Sequence, residues 1–262
     1  STPIKSSAAS DVYKRQVMVR INIIGKIIRW VVVAFFGSTI LAVVALRFIP
    51  VYFTPLMFIR CLEQVKDGES VKLHHHWVPL EKISRHMPVA VMASEDQRFL
   101  LHHGFDYEAI EKAAMSNLKG GKIRGGSTIS QQTAKNVFLW PGRSWVRKGL
   151  EAYFTVLIEF MWSKQRIMEV YLNSIEMGPG IYGVEAVARD NFGKNAADLF
   201  RSECALIAAT LPNPLRFSSA APSAYMKKRR RQIEQQMRFI PSFPAEGEDY
   251  DPETSAGGVY RK

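Results

Sequence analysis

The chain has 262 residues, enough to bury one substantial core with at most a small appendage. Its 35 Lys and Arg against 24 Asp and Glu leave a net charge of +11, which points to an anionic partner without choosing among nucleic acid, diphosphate and anionic lipid. No internal repeat and no Rossmann or Walker signature is present, which argues against a repeat array and a nucleotide-binding enzyme.

The opening run STPIKSSAASDVYKRQ is polar, lacks an initiating Met and joins awkwardly to MVRINIIGKIIRW, so a start at Met18 is expected and residues 1–17 are given no role. WVVVAFFGSTILAVVAL, Trp30 to Leu46, carries no charge. Extended to residues 27–49 it is long enough, at about 1.5 Å per residue, to cross about 30 Å of hydrocarbon, with Arg29 and Arg47 able to snorkel at its ends. A transmembrane helix is expected in preference to a buried soluble helix or a signal peptide, because no small-residue cleavage site ends the run cleanly. Lys14, Arg15, Arg20, Lys26 and Arg29 precede the span, whereas only Arg47 and Arg60 follow it closely. That asymmetry predicts a cytoplasmic segment at residues 1–26 and export of everything after the span, which in a bacterium is the outer face of the inner membrane.

Residues 50–76 read as a membrane-proximal connector, with Leu56, Phe58, Ile59 and Leu62 forming an apolar side. His74, His75 and His76 are consecutive, poor geometry for a metal site, and read as a wet connector. LEKISRHMPVAVMASED predicts one or two helices ending near Glu95. Residues 106–118 predict a helix capped by Asp106, with Ile110, Ala113, Ala114 and Leu118 on its packed side. GGKIRGG, residues 120–126, then breaks the helix as a mobile loop. Ser127 or Thr128 caps the next helix, which Pro141 and Gly142 close. Residues 145–172 read as one long or kinked helix, buried along its middle, and Gly178, Gly180 and Gly183 mark a tight loop. Residues 201–211 and 224–239 predict two more helices, the second basic, before a loose polar tail at residues 241–262. Cys61 and Cys204 are expected to stay unpaired, Cys204 as a small hydrophobe within CALIAATL. Helical periodicity dominates throughout, so the fold class expected is mainly α.

Three clusters could carry chemistry. Glu95 and Asp96 follow an apolar run whose packing could desolvate one carboxylate and raise it into general-base range; a helix-terminal pair held by Arg98 or by backbone donors is the alternative. Ser127, Thr128, Gln131, Gln132 and Lys135 recur at spacings that let several face one cleft, with free N–H groups at the helix start for phosphate oxygens; a solvated helix face is the rival. In RKGLEA, Arg147 and Glu151 share a helix face, either as a simple ion pair or as polar groups with a specific partner. His102 and His103 stand near the acidic pair and could hold a carboxylate or pack structurally.

Together these residues resemble the monofunctional peptidoglycan glycosyltransferases, relatives of the glycosyltransferase domain of bifunctional penicillin-binding proteins, over residues 77–239 and the N-terminal anchor. The motif E-D-x-x-F-x-x-H-x-G falls on Glu95, Asp96, Phe99, His102 and Gly104. G-x-S-T-x-x-Q-Q-x-x-K-N falls on Gly125, Ser127, Thr128, Gln131, Gln132, Lys135 and Asn136, and R-K-x-x-E on Arg147, Lys148 and Glu151. Lys164, Ile167, Glu169, Tyr171, Leu172 and Asn173 continue the pattern, followed by Glu176, Gly178, Gly180, Tyr182 and Gly183. Asn191 and Phe192 stand where the family commonly has Tyr-Phe, and His102 is doubled by His103.

The resemblance implies one transmembrane helix, then a catalytic domain at residues 77–240 with a larger lysozyme-like lobe and a smaller membrane-proximal lobe. It implies polymerisation of lipid II into linear β-1,4-linked glycan with release of undecaprenyl diphosphate, Glu95 being the general base of an inverting transfer. Lys135, Arg147 and Lys148, helped by Arg143, would neutralise the diphosphate, while Ser127, Thr128, Gln131 and Asn136 hold substrate and Asp96, Phe99, His102 and Gly125 support them. Glu151 is assigned to orienting those cations or a divalent ion, Mg²⁺ or Mn²⁺, bound mainly through the diphosphate; no preformed metal site and no nucleotide are expected. Lys122 and Arg124 offer head-group contacts. The partners implied are lipid II, the growing lipid-linked glycan, membrane lipids and cell-wall synthesis or division proteins, with no nucleic acid. A membrane-anchored lytic glycosidase using Glu95 as its acid and a non-catalytic lipid II-binding scaffold are the rival readings. The chain has no S-x-x-K, S-D-N and K-T-G set, so glycan polymerisation without peptide cross-linking is expected.

Overall fold

A computed structural model of the chain describes residues 4–118, 126–245, 247 and 248. The chain divides into two units, Ser1–Leu46 and Arg47–Lys262. Helix α1, Ile4–Phe48, runs through the first. Within it Asn22–Phe48 is long and apolar enough to cross a membrane, and its large apolar side chains point outward, Trp30 at 65% exposure and Leu41 at 69%. A lone helix suits hydrocarbon because its backbone bonds close internally; the Thr39 hydroxyl likewise donates to the Phe35 carbonyl at 2.8 Å. These properties support a single span.

The second unit is helical with a small sheet. Thr54 caps α2, Pro55–Lys66, by accepting the Met57 N–H at 3.3 Å, and Pro55 sits in the first turn, where its missing N–H is harmless. Strand β1, His74–His75, pairs parallel with β3, Ile181–Tyr182, which pairs antiparallel with β2, Glu176–Gly178. Two of the consecutive histidines are therefore structural: His74 Nδ1 lies 2.6 Å from Asp190, and His75 Nε2 lies 3.0 Å from the Asn173 carbonyl.

Among the described residues eight further α-helices follow: α3, His86–Glu95; α4, Tyr107–Leu118; α5, Ile129–Phe138; α6, Trp145–Met161; α7, Lys164–Ser174; α8, Val184–Phe192; α9, Arg201–Ala208; and α10, Ala224–Gln236. The core centres on α7, where Ile167, Met168, Val170, Tyr171 and Leu172 have no exposure. Helix α5 packs on both α6 and α7, while α3, α9 and α10 pack on one another. The end of α3 meets the start of α5, and the candidate site forms there.

The structure departs from the sequence reading at several points. Residues 145–172 are two helices: Trp162 turns extended and the Ser163 hydroxyl accepts the Arg166 N–H at 3.2 Å, capping α7. Helix α8 was not anticipated. It starts at Gly183, φ 79°, without a side-chain cap, and so lacks the hydroxyl or carboxamide that marks a helix start in sequence. A Cβ there would lie 2.5 Å from the Asn173 carbonyl oxygen, so glycine is required. Ile110, expected on the packed side of α4, is 42% exposed, and the side chains of Ala113, Ala114 and Leu118 lie outside the described set. The expected mobile loop falls outside the described residues except for Gly126. The tail begins docked rather than loose: Pro241 is buried and Phe243 stacks against Phe99. Cys61 and Cys204 are separate free thiols, and burial pushes that of Cys204 up to about 12.

Candidate active site

The apolar run of α3 ends on Glu95, and Asp96, at φ −154°, turns the chain out of the helix. Glu95 is half-buried. Its Oε1 accepts the Ser94 hydroxyl at 3.1 Å, and its Oε2 accepts the Gln132 side-chain amide at 3.2 Å. The Tyr171 hydroxyl in turn donates to Gln132 Oε1 at 3.2 Å, which fixes the direction of that amide. Burial raises the Glu95 carboxyl above its ordinary value; the bonds from Gln132 and Ser94 and the charge of Arg229 pull it back, while neighbouring Asp96 pushes it further up.

The adjacent carboxylate does different work. Asp96 is buried, with both oxygens 3.0 Å from His102 Nε2, and its Oδ2 also accepts the Ile129 N–H at 3.0 Å. An anion thus sits at the N-terminus of α5, where free amides favour it. His102 is buried, whereas His103, its sequence neighbour, is exposed. Gly104 closes the loop at φ +88°, and a Cβ there would stand 2.8 Å from Thr155 Cγ2. Beneath the loop, Lys164 donates to the His102 carbonyl at 2.7 Å and to Glu159 at 2.8 Å, and Glu159 also accepts the Ser130 hydroxyl.

Helix α5 carries the link to the second half. Thr128 and Gln131 form a capping box: Thr128 Oγ1 accepts the Gln131 N–H, and Gln131 Oε1 accepts the Thr128 N–H. The Thr128 hydroxyl also donates to the Gly104 carbonyl at 2.6 Å, tying α5 to the acidic loop. Both side chains are buried and engaged within the protein. Successive helix positions turn by about 100°, so Gln132, beside Gln131, faces elsewhere. Gln132, Lys135, Asn136, Arg143 and Arg147 line one cleft of about 370 Å³, closed on its other sides by Leu56, Trp140 and Glu176 among others.

Lys135 and Arg147 are partly buried in this cleft, and Arg143 is exposed on its wall. Glu151, buried on α6, receives Arg147 Nη1 at 3.2 Å and the Lys148 ammonium. Lys148 bonds Glu151 from an exposed position and does not line the cleft. The Lys135 ammonium makes no hydrogen bond or ion pair among the described residues. Its pKa is lowered first by burial and then by Arg147 and Lys148, against the opposing pull of Glu151 and Glu95. Lys135 therefore senses both acidic residues and joins the two halves electrostatically.

The predicted residues thus separate by position. Lys135, Asn136, Arg143 and Arg147 line the cleft, Glu95 is tied to it through Gln132, and Glu151 holds Arg147. Asp96, Phe99 and His102 are buried and do not line it, Ser127 is exposed at the start of α5, and Gly125, with Lys122 and Arg124, lies outside the described residues. Among the described residues no group of three or more His, Cys, Asp or Glu could hold a metal ion. Asn191 donates to the Ser219 hydroxyl at 2.7 Å, a local use for its substituted amide. Sequence reasoning did not single out Gln132, Tyr171 or Arg229 for the surroundings of Glu95. The T-x-x-Q capping-box pattern assigns Gln131 to the cap and so could have freed Gln132. Nothing local marks Arg229, which reaches the Ser94 carbonyl at 3.5 Å from α10.

A family profile described as Transglycosylase matches residues 62–238. A protein of Bacteroides thetaiotaomicron is 60% identical over 224 residues, covering 84% of this chain and 90% of that protein. A Bdellovibrio bacteriovorus protein is 52% identical over 219 residues, covering 82% and 87%, and a Caulobacter vibrioides protein is 55% identical over 197 residues, covering 75% and 83%. All three are called biosynthetic peptidoglycan transglycosylases.

Proposed function

The chain belongs to the transglycosylase family and is a glycan-strand-polymerising glycosyltransferase, and on that premise we propose that Glu95 is the general base and Lys135 with Arg147 the diphosphate-neutralising pair. The observation that carries this reading is the Glu95–Gln132 bond: Gln132 lines the same cleft as the two cations, so base and positive charge meet in one site.

The acceptor sugar hydroxyl loses its proton to Glu95 as its oxygen attacks the anomeric carbon of the donor, and the lipid diphosphate departs from the opposite face, inverting the linkage. Burial makes Glu95 a better base than a solvated carboxylate, while Gln132, Ser94 and Arg229 keep its charged form accessible. Lys135 is held among like charges in a half-buried position, so an arriving diphosphate relieves repulsion already built into the protein. Asn136, buried in the cleft wall with no side-chain hydrogen bond among the described residues, is free to hold sugar or phosphate oxygens.

A divalent cation, when bound, would add positive charge at the diphosphate. With Glu151 already engaged by Arg147 and Lys148, the protein's own donors fit only a minor share of its coordination, so Mg²⁺ or Mn²⁺ would be held mainly through substrate oxygens. The substrate inferred is lipid II together with the growing lipid-linked strand. Membrane access is supported by α2: Leu56 lines the cleft while Phe53, Phe58, Leu62 and Val65 nearby are all more than half exposed. The charge bias around the span favours a cytoplasmic N-terminus and a periplasmic catalytic domain. The test is polymerisation of purified lipid II, resolved by glycan length, for parent and Glu95→Gln; parental turnover by the variant overturns the base assignment.

A further inference from the structure

The family match ends at residue 238, yet the chain continues to pack beyond it. Pro241 is buried, and the Phe243 ring stacks on Phe99 with centroids 6.4 Å apart and planes 16° from parallel. Gln165, on α7, donates to the carbonyls of Ala245 and Glu248 at 3.2 and 2.6 Å, and the Glu248 N–H returns to the Ala245 carbonyl at 3.1 Å. Between this strap and the first turn of α3 lies a groove of about 650 Å³, lined by Arg85, His86, Pro88 and Val89 on the helix side. The strap therefore does not lie flush along α3. Beyond Pro241, among the described residues, Phe99 and Gln165 hold it.

Phe99 has no exposure and sits at the centre of the acidic loop. The Lys164 ammonium stands 4.5 Å from its ring centroid, and the His102 ring meets it edge-on at 6.3 Å. His102 holds Asp96, and Asp96 adjoins Glu95 while anchoring α5. A displacement of the Phe99 ring thus reaches the base through a short chain of packed and hydrogen-bonded groups, Phe99, His102 and Asp96, that do not line the cleft.

We propose that residues 241–245, with Gly247 and Glu248, form a positioning strap for the Glu95 loop, with Phe243 fixing Phe99 and thereby the placement of Glu95 at the end of α3. This rests on Glu95 being the base. Phe243 is a positioning residue, acting through Phe99, His102 and Asp96.

The test uses the full-length protein with Phe243→Ala, Phe243→Tyr and Gln165→Ala, each followed by lipid II polymerisation against substrate concentration and pH, and by thermal melting. Phe243→Ala is expected to lower kcat by about 10- to 100-fold with KM unchanged and to displace the acid limb of the pH profile. Phe243→Tyr keeps the ring and restores parental behaviour, and Gln165→Ala moves kcat in the same direction by a smaller factor. Parental kcat and an unmoved acid limb in a folded Phe243→Ala protein, with only a lower melting temperature, overturn the strap. Should Phe243→Ala not fold, parental kcat in Gln165→Ala overturns it instead. A Glu95→Gln control separates the two ideas: turnover by that control defeats the base assignment, whereas an inactive control beside a fully active Phe243→Ala defeats the strap alone.

Discussion

Replacing Glu95 with Gln removes a proton acceptor while leaving the side chain's shape and both neighbours in place. The new carboxamide can still accept from Gln132, and the Ser94 hydroxyl can rotate to accept rather than donate. The activity lost is that of a positioned base, typically 10²- to 10⁴-fold, or about 2.7 to 5.4 kcal/mol at about 1.36 kcal/mol per tenfold. Stability should move the other way. The folded-state pKa of Glu95 is raised chiefly by burial, so its contribution is fully present below the ordinary value of 4.5 and is lost as pH rises through the folded value. At neutral pH the parent carries that penalty and the variant does not. Glu95→Gln should therefore melt at or above the parental temperature at pH 7 to 8, with its advantage shrinking towards pH 4.5. Initial rates of lipid II polymerisation and melting curves in detergent across pH supply both readings. Turnover near the parental rate, or a variant that melts lower at neutral pH, refutes the reasoning.

Activity should rise with pH through the raised pKa of Glu95 and fall again through the lowered pKa of Lys135; a profile lacking the acid limb contradicts the first assignment. Lys135→Met should lose about 10²- to 10³-fold in turnover, read from the same assay, while melting at or above the parental temperature, because a half-buried cation among Arg147 and Lys148 is removed. Glu151→Gln frees Arg147 and Lys148 from their shared carboxylate, and should both slow polymerisation and change its response to Mg²⁺ titration; an unchanged response removes Glu151 from the leaving-group role. Gly104→Ala meets both a φ of +88° and Thr155 Cγ2 at 2.8 Å, and should destabilise by about 1 to 3 kcal/mol, measured by denaturant unfolding; parental stability contradicts the loop geometry.

What was legible in the sequence follows from how local its causes are. The end of α3 at Glu95 was readable because an apolar run stops there and two charges follow. The start of α5 was readable because Thr128 and Gln131 complete a capping box within four residues. The break between α6 and α7 was obscured by continuous apolar periodicity through Trp162, although Ser163 supplied the cap. Helix α8 was invisible because a glycine begins it. Long-range placements were out of reach: Arg229 and Ser94 are 135 positions apart, and the docking of Phe243 on Phe99 depends on where α10 delivers the tail. The division of labour between Glu95 and Asp96 likewise needed the fold, since only α5 arriving from later in the chain gives Asp96 its amide and Glu95 its Gln132.

The most direct test of the central claim is the stoichiometry of the reaction of purified full-length protein with lipid II. Sugar transfer driven by loss of a lipid diphosphate predicts one undecaprenyl diphosphate released for each disaccharide unit joined, β-linked product strands, and neither in the Glu95→Gln protein. Diphosphate release without strand growth, or shortening of finished strands without lipid II consumption, contradicts it.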